Sequence, residues 1–161
     1  MLPAMQRAQA TIVQCALVLW SAALFACAAS PPAPRAERAW GGPAAEPAWG
    51  GRATSDSGRL VGRIYPESGD RIEIGRFQDW VVELRDASGA DVTGAAIAIA
   101  GGMPGHGHGL PTQPRVTEEL GGGRYRIEGV KLNMAGAWVI EAFVETPALR
   151  DRLRFDLAID Y

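Results

Sequence analysis

From Gly58 to the C-terminus, apolar and polar residues alternate in short runs that are separated by turn-forming residues. A period of two places successive side chains on opposite faces of a β-strand, so each run predicts a strand with one apolar and one polar face. The clearest runs are 80–84, 138–144 and 153–159. No segment of this region has the 3.6-residue period of an amphipathic helix. The pattern therefore predicts an all-β, antiparallel domain over residues 58–161.

About seven or eight such strands fit into this region, and their one-sided apolar faces favour two sheets packed face to face over a single open sheet. We expect an immunoglobulin-like β-sandwich. Both cysteines, Cys15 and Cys27, precede the region, so the sandwich has no disulfide and depends on hydrophobic packing. The large aromatic side chains of the apolar faces are interpreted as core: Trp80, Tyr125, Trp138 and Phe155.

The N-terminal residues have the pattern of a bacterial export signal. Arg7 supplies a positive charge, and the run from Thr11 to Ala26 is apolar except for Gln14 and Ser21. This run is shorter than the ~20 residues of a comfortable membrane-spanning helix. We expect residues 1–27 to be a signal peptide and the rest of the chain to lie in the periplasm or cell envelope.

Two cleavage routes are open at this signal. The sequence Leu-Phe-Ala-Cys at 24–27 resembles a lipobox, in which Cys27 would be acylated and would anchor the protein to the membrane. The sequence Ala-Cys-Ala at 26–28 is a site for ordinary signal peptidase, which would release a soluble protein. An uncleaved anchor is the third alternative. Residues 28–57, rich in proline, alanine and glycine, are predicted to be a disordered linker.

The charges of the chain do not favour a nucleic-acid partner. Lysine and arginine total 16 against 18 acidic residues, and the two signs are scattered along the sequence. Binding to nucleic acid usually requires a clustered excess of basic residues. The composition therefore predicts no nucleic-acid partner.

The segment GGMPGHGHGLP, residues 101–111, contains the only two histidines of the chain. Its prolines and glycines are incompatible with a central strand, so we expect a loop or an irregular edge. In an extended backbone, His106 and His108 would project to the same side, about 7 Å apart. A turn at 104–105 would bring Met103 to that side, and Met134 lies in a second turn before the Trp138 strand.

Imidazole and thioether ligands together suit copper, particularly Cu(I), better than magnesium, calcium or structural zinc. We therefore predict a copper site formed by His106 and His108, with Met103 and Met134 as additional ligands. The alternative is a glycine-rich loop in which the histidines hydrogen-bond to the backbone and the methionines pack at the rim of the sandwich.

Four short segments follow one another in a characteristic order: MPGHGHGLP at 103–111, PRV at 114–116, GRY at 123–125 and MAGAW at 134–138. In this order residues 58–161 resemble the YtkA-like or FixH-like family of small exported bacterial domains, although no proline follows Met134. The resemblance implies an immunoglobulin-like sandwich outside the cytoplasm and a link to copper handling or oxidase assembly.

Three functions are compared on this basis. The first is a non-enzymatic copper-binding protein of the cell envelope that delivers or buffers the metal, with a copper acceptor such as an oxidase assembly component as partner. The second is a metal-independent envelope interaction or assembly module. The third, an enzyme, has the least support, because the sequence contains no Gly-x-Ser-x-Gly or His-Glu-x-x-His motif. Glu118 and Glu119, which follow the histidines, are interpreted as a solvated strand end.

Overall fold

A computed structural model of the chain describes residues 51–69 and 71–161. The predicted signal peptide, Cys27 and residues 28–50 of the predicted linker lie outside these described residues. Nine strands are present in the described part: β1 (Arg52–Thr54), β2 (Leu60–Pro66), β3 (Gln78–Asp86), β4 (Ala96–Met103), β5 (His108–Gly109), β6 (Arg115–Gly121), β7 (Arg124–Val130), β8 (Gly136–Thr146) and β9 (Leu149–Ile159).

The strands form two layers, and all of their pairings are antiparallel. The hydrogen-bonded order is β1-β2-β3-β7-β6-β4-β8-β9, with β5 paired to β4, and the boundary between the layers falls between β6 and β4. The two layers are joined along one side by a single paired position, Ala98 with Arg115. Strands β2, β3, β7 and β6 opposite β4, β8 and β9 reproduce the four-plus-three arrangement of an immunoglobulin constant-type domain. The predicted immunoglobulin-like, all-β fold is confirmed.

The core lies between the two layers and is built from the apolar faces that the alternation predicts. Trp80, Tyr125, Trp138 and Phe155 are each at most 2% exposed, which confirms their assignment to the core. Strand β9 shows the pattern most clearly, because Leu153, Phe155, Leu157 and Ile159 are buried while the residues between them are exposed. The two layers are therefore held together by the packing of the apolar side chains on their facing sides.

The folded part begins earlier than the sequence pattern indicates. Strand β1 lies inside the segment predicted as a linker and pairs with β2, Arg52 opposite Arg63. Ser55 is buried, and its hydroxyl accepts a hydrogen bond from the Leu60 amide. The predicted boundary at residue 58 is thus too late. A run of three residues is too short to show a period of two, which is why the alternation did not reveal β1.

Within the described residues, no helix is long and apolar enough to cross a membrane. The apolar run at 11–26 lies outside the region to which this finding applies.

Candidate metal-binding site

The histidine segment forms a tight hairpin at the end of β4. After Met103 the chain makes a 3₁₀ turn over Pro104–His106, and Gly107 follows with a φ of 68°. Strand β5 then returns beside β4, with Gly109 opposite Gly102 and His108 opposite Met103. Proline is well suited to the first position of such a turn, and glycine adopts the left-handed backbone without strain. The expected loop is therefore a hairpin, and the backbone between the two histidines is a turn and not an extended segment.

The turn nevertheless leaves the two histidine rings close together. The ring centroids of His106 and His108 are 5.9 Å apart, with the ring planes inclined by 64°. Two imidazoles that share one ion through nitrogen–metal distances of about 2 Å have centroids roughly 5 to 6 Å apart. Both side chains are exposed at the surface. Their separation is compatible with two imidazole ligands on a single ion.

The His108 ring has a second contact that bears on its ligand atom. Its Nδ1 lies 2.9 Å from the carbonyl oxygen of Gly109. A hydrogen bond at this distance assigns the ring proton to Nδ1, where it is donated to the carbonyl. In that tautomer the lone pair of Nε2 faces away from the backbone. Nε2 is then the nitrogen that is free to bind a metal ion.

Met103 lies directly across the ribbon from His108. Cross-strand partners in an antiparallel pair have Cβ atoms about 4.5–5.5 Å apart on the same face, so the thioether starts beside the imidazole. Met103 is only 1% exposed. Its Cε packs against the start of β8, where a Cβ built on Gly136 would lie 2.7 Å away. The hairpin therefore combines an exposed imidazole with a buried thioether.

Met134 joins this end of the sandwich through Trp138. The indole Nε1 of Trp138 donates a hydrogen bond of 3.0 Å to the carbonyl oxygen of Met134. The same indole contacts the His108 ring edge to face, with centroids 5.7 Å apart. Met134 is half-buried and packs against the core. The structure thus brings His106, His108 and Met103 together in the hairpin and connects Met134 to them by way of Trp138.

Carboxylates do not complete the group. Glu118 forms an ion pair with Arg126, and Glu119 accepts a hydrogen bond from the Gly94 amide, near the end of β4 that is remote from Met103. No group of three or more His, Cys, Asp or Glu side chains suited to a metal ion is found between residues 51 and 161, Asp70 excepted. The donors at the hairpin are therefore imidazole nitrogen and thioether sulfur, a set that suits copper.

A cleft of about 320 Å³ lies beside the hairpin. Pro104, Gly107 and His108 form one side, and Val139, Glu141 and Arg154 of the β8 and β9 strands contribute to the other. Glu141 is paired with Arg152, and Arg154 with Asp156. The charged groups of the cleft are thus neutralised by neighbours, and the cleft gives solvent access to the hairpin.

The described residues define an immunoglobulin-like sandwich with an exposed histidine hairpin at one end. Residues 67–143 match the family model described as YtkA-like. The match extends from the loop after β2 into β8 and contains His106, His108, Met103 and Met134. It confirms the YtkA-like resemblance seen in the sequence. No curated protein and no solved structure shows significant similarity to the chain.

The alternating pattern assigned Trp138 to the core. The structure shows that it is core and that it also touches His108. The sequence did contain a signal for the contact with the Met134 turn. A buried indole N–H needs an acceptor, and this turn lies four residues upstream of Trp138. Alternation alone reports which face a side chain occupies and carries no information about such a partner.

Proposed function

We propose that this protein is an exported, non-enzymatic protein of the bacterial cell envelope that binds copper and delivers or buffers it. His106 and His108 are the primary ligands, and Met103 and Met134 supply thioether sulfur. Its partner is a copper acceptor in the envelope, such as an oxidase assembly component. YtkA-like domains are not known as enzymes, and the proposal assigns no catalytic residue.

The observation that carries this proposal is the pairing of Met103 with His108 across the hairpin, with the His106 ring 5.9 Å from that of His108. The side-chain donors at this turn are two imidazoles and a thioether. Such a set favours a soft ion, and among the usual metals it suits Cu(I) best. The folded part contains no cysteine, so in an oxidising compartment the site would bind a soft metal without the risk of disulfide formation.

The direct test is an anaerobic titration in which residues 51–161 compete with a chromophoric chelator for Cu(I). This segment contains every described strand and the core that they enclose. We expect one ion per chain for the parent and loss of competition for the double variant His106→Ala, His108→Ala. Gly105→Ala is the matched control, since a Cβ there meets no atom within 4 Å. Equal binding by the parent and the double variant would refute the proposal.

A metal-independent interaction module is the second candidate, and one surface favours it. The outer face of β4, β8 and β9 carries a depression of about 840 Å³, bordered by Ala96, Ala98 and the 43%-exposed Phe143. A partner bound here would be retained after chelation and after removal of both histidines, and would be lost in Phe143→Asp. Retention of the same partner by Phe143→Asp would exclude this surface.

The mode of attachment to the envelope is a separate part of the proposal. Acylation of Cys27 would make a lipid-anchored protein, and cleavage beside it would make a soluble periplasmic one. Mass spectrometry of the mature N-terminus distinguishes the two, because a diacylglycerol group on Cys27 adds a large and defined mass. An intact residue 1 would instead indicate an uncleaved anchor.

A further inference from the structure

Trp138 occupies a position between the two segments that carry the proposed ligands. It lies on β8, opposite Leu157 of β9, and is 1% exposed. On one side its Nε1 donates to the carbonyl of Met134, and on another its ring meets the His108 ring. One buried side chain therefore contacts both the histidine hairpin and the methionine turn.

These contacts go beyond what core packing requires. A phenylalanine at this position would supply most of the apolar volume, but it would supply neither the N–H donor nor the full ring that reaches His108. A buried N–H that loses its acceptor is costly, so the hydrogen bond fixes the backbone of the Met134 turn. An exposed imidazole normally samples several rotamers, and the edge-to-face contact at 5.7 Å restricts the ring of His108.

We propose that Trp138 is a positioning residue of the metal site, which holds the His108 ring and the Met134 backbone in the binding arrangement and whose fluorescence reports occupancy. This inference rests on the proposed function, because it concerns the same ligands. The side chain does not itself bind the ion. Because Trp138 already restricts the two segments, they lose less conformational entropy when the ion binds. This smaller entropic cost is the general source of affinity in preorganised sites.

The test uses residues 51–161 and compares Trp138→Phe with Tyr125→Phe. The control also removes a buried hydrogen-bonding group, since the Tyr125 hydroxyl accepts from the Ala95 amide and donates to the Val92 carbonyl before the start of β4, at the opposite end of the sandwich. We expect Trp138→Phe to bind Cu(I) roughly 10- to 100-fold more weakly, the usual effect of losing an outer-shell partner. Tyr125→Phe should match the parent in Cu(I) affinity.

Fluorescence supplies a readout that a purely structural role would not affect. Residues 51–161 contain two tryptophans, Trp80 and Trp138. Addition of Cu(I), or of Ag(I) as a redox-stable substitute, should change the emission of the parent until one equivalent is bound. Trp80→Phe should retain this change and Trp138→Phe should lose it. Constant emission of the parent when Cu(I) binds would overturn the inference even if either variant failed to fold.

The outcomes separate this inference from the proposed function. Weaker binding by Trp138→Phe together with a saturable change in emission supports it. A parent that binds Cu(I) in the competition assay but shows constant emission, or a folded Trp138→Phe with parental affinity, overturns the inference and leaves the copper function standing. A parent that does not bind Cu(I) overturns both.

Discussion

Gly102 is the residue on which the geometry of the hairpin most depends. A Cβ at this position would lie 2.3 Å from the carbonyl oxygen of His108 and 2.7 Å from the Cα of Gly109. Because these are backbone atoms, the clash can be relieved only if β5 moves away from β4. We expect Gly102→Ala to lower the free energy of unfolding by about 1–3 kcal/mol, the usual cost of overpacking, and to weaken Cu(I) binding. Urea denaturation and the competition titration measure the two effects.

Gly105→Ala is the matched control for that substitution, because it adds the same methyl group to the same hairpin in open space. Its free energy of unfolding should stay within about 0.5 kcal/mol of the parent, as is usual for surface changes. If Gly102→Ala were as stable as Gly105→Ala, the close approach of β4 and β5 would not exist in solution.

Met103 combines two roles that a single substitution can separate. Met103→Leu preserves the buried volume, so the free energy of unfolding should fall by less than about 1.5 kcal/mol. It removes the sulfur, so the affinity for Cu(I) should fall at least tenfold, a factor that corresponds to about 1.4 kcal/mol. Parental Cu(I) affinity in Met103→Leu would reduce Met103 to a core residue and leave His106, His108 and Met134 as the proposed ligands.

The turn after β1 is joined to β9 by a polar clasp, which consists of the hydrogen bonds between residues 55–57 and Asp151 or Arg152. The Ser57 hydroxyl and amide both donate to the Asp151 carboxylate, and the Asp56 amide donates to the Arg152 carbonyl. Burial alone would raise the pKa of Asp151, but hydrogen bonds from Ser55, Ser57 and the Arg152 amide outweigh it and hold the pKa below its ordinary value of 3.8. The charged form of Asp151 is therefore favoured in the folded state.

This lowered pKa predicts how the clasp responds to acid. The unfolded chain takes up a proton on Asp151 at a higher pH than the folded chain does, so the stabilisation is complete above 3.8 and is lost as the pH falls towards the lowered folded pKa. Asp151→Asn should be less stable than the parent at neutral pH, and the difference should shrink below about pH 4. Urea denaturation of both proteins from pH 7 to pH 2 measures this. A difference that did not vary with pH would contradict the assignment.

At the level of elements, alternation predicted the long strands well and the short ones poorly. The runs at 80–84, 138–144 and 153–159 all lie within strands, because burial of one face requires that period. Strands β1 and β5 have three and two residues, which is too few to show a period of two. The conformation of the hairpin likewise depends on the turn at Pro104 and Gly107. The spacing of the two histidines in the sequence does not indicate the geometry of that turn.

The whole molecule gives a further prediction about its N-terminal boundary. A chain that begins at residue 58 would lack β1, the Ser55 hydrogen bond to Leu60 and the clasp to Asp151. We expect it to be less stable than residues 51–161, with a lower midpoint of urea denaturation and faster amide exchange in β2. Equal midpoints would mean that β1 adds nothing to the fold, and the domain would begin where the sequence pattern places it.

The proposed function requires that one copper ion bind to imidazole and thioether ligands at the hairpin between β4 and β5. X-ray absorption spectroscopy of residues 51–161 loaded with one equivalent of Cu(I) tests it most directly, because the scattering distinguishes nitrogen from sulfur neighbours. We predict a first shell of both nitrogen and sulfur, with the nitrogen contribution lost in the double variant His106→Ala, His108→Ala and the sulfur contribution reduced in Met103→Leu. A first shell without sulfur, or one unchanged by removal of both histidines, would contradict the claim.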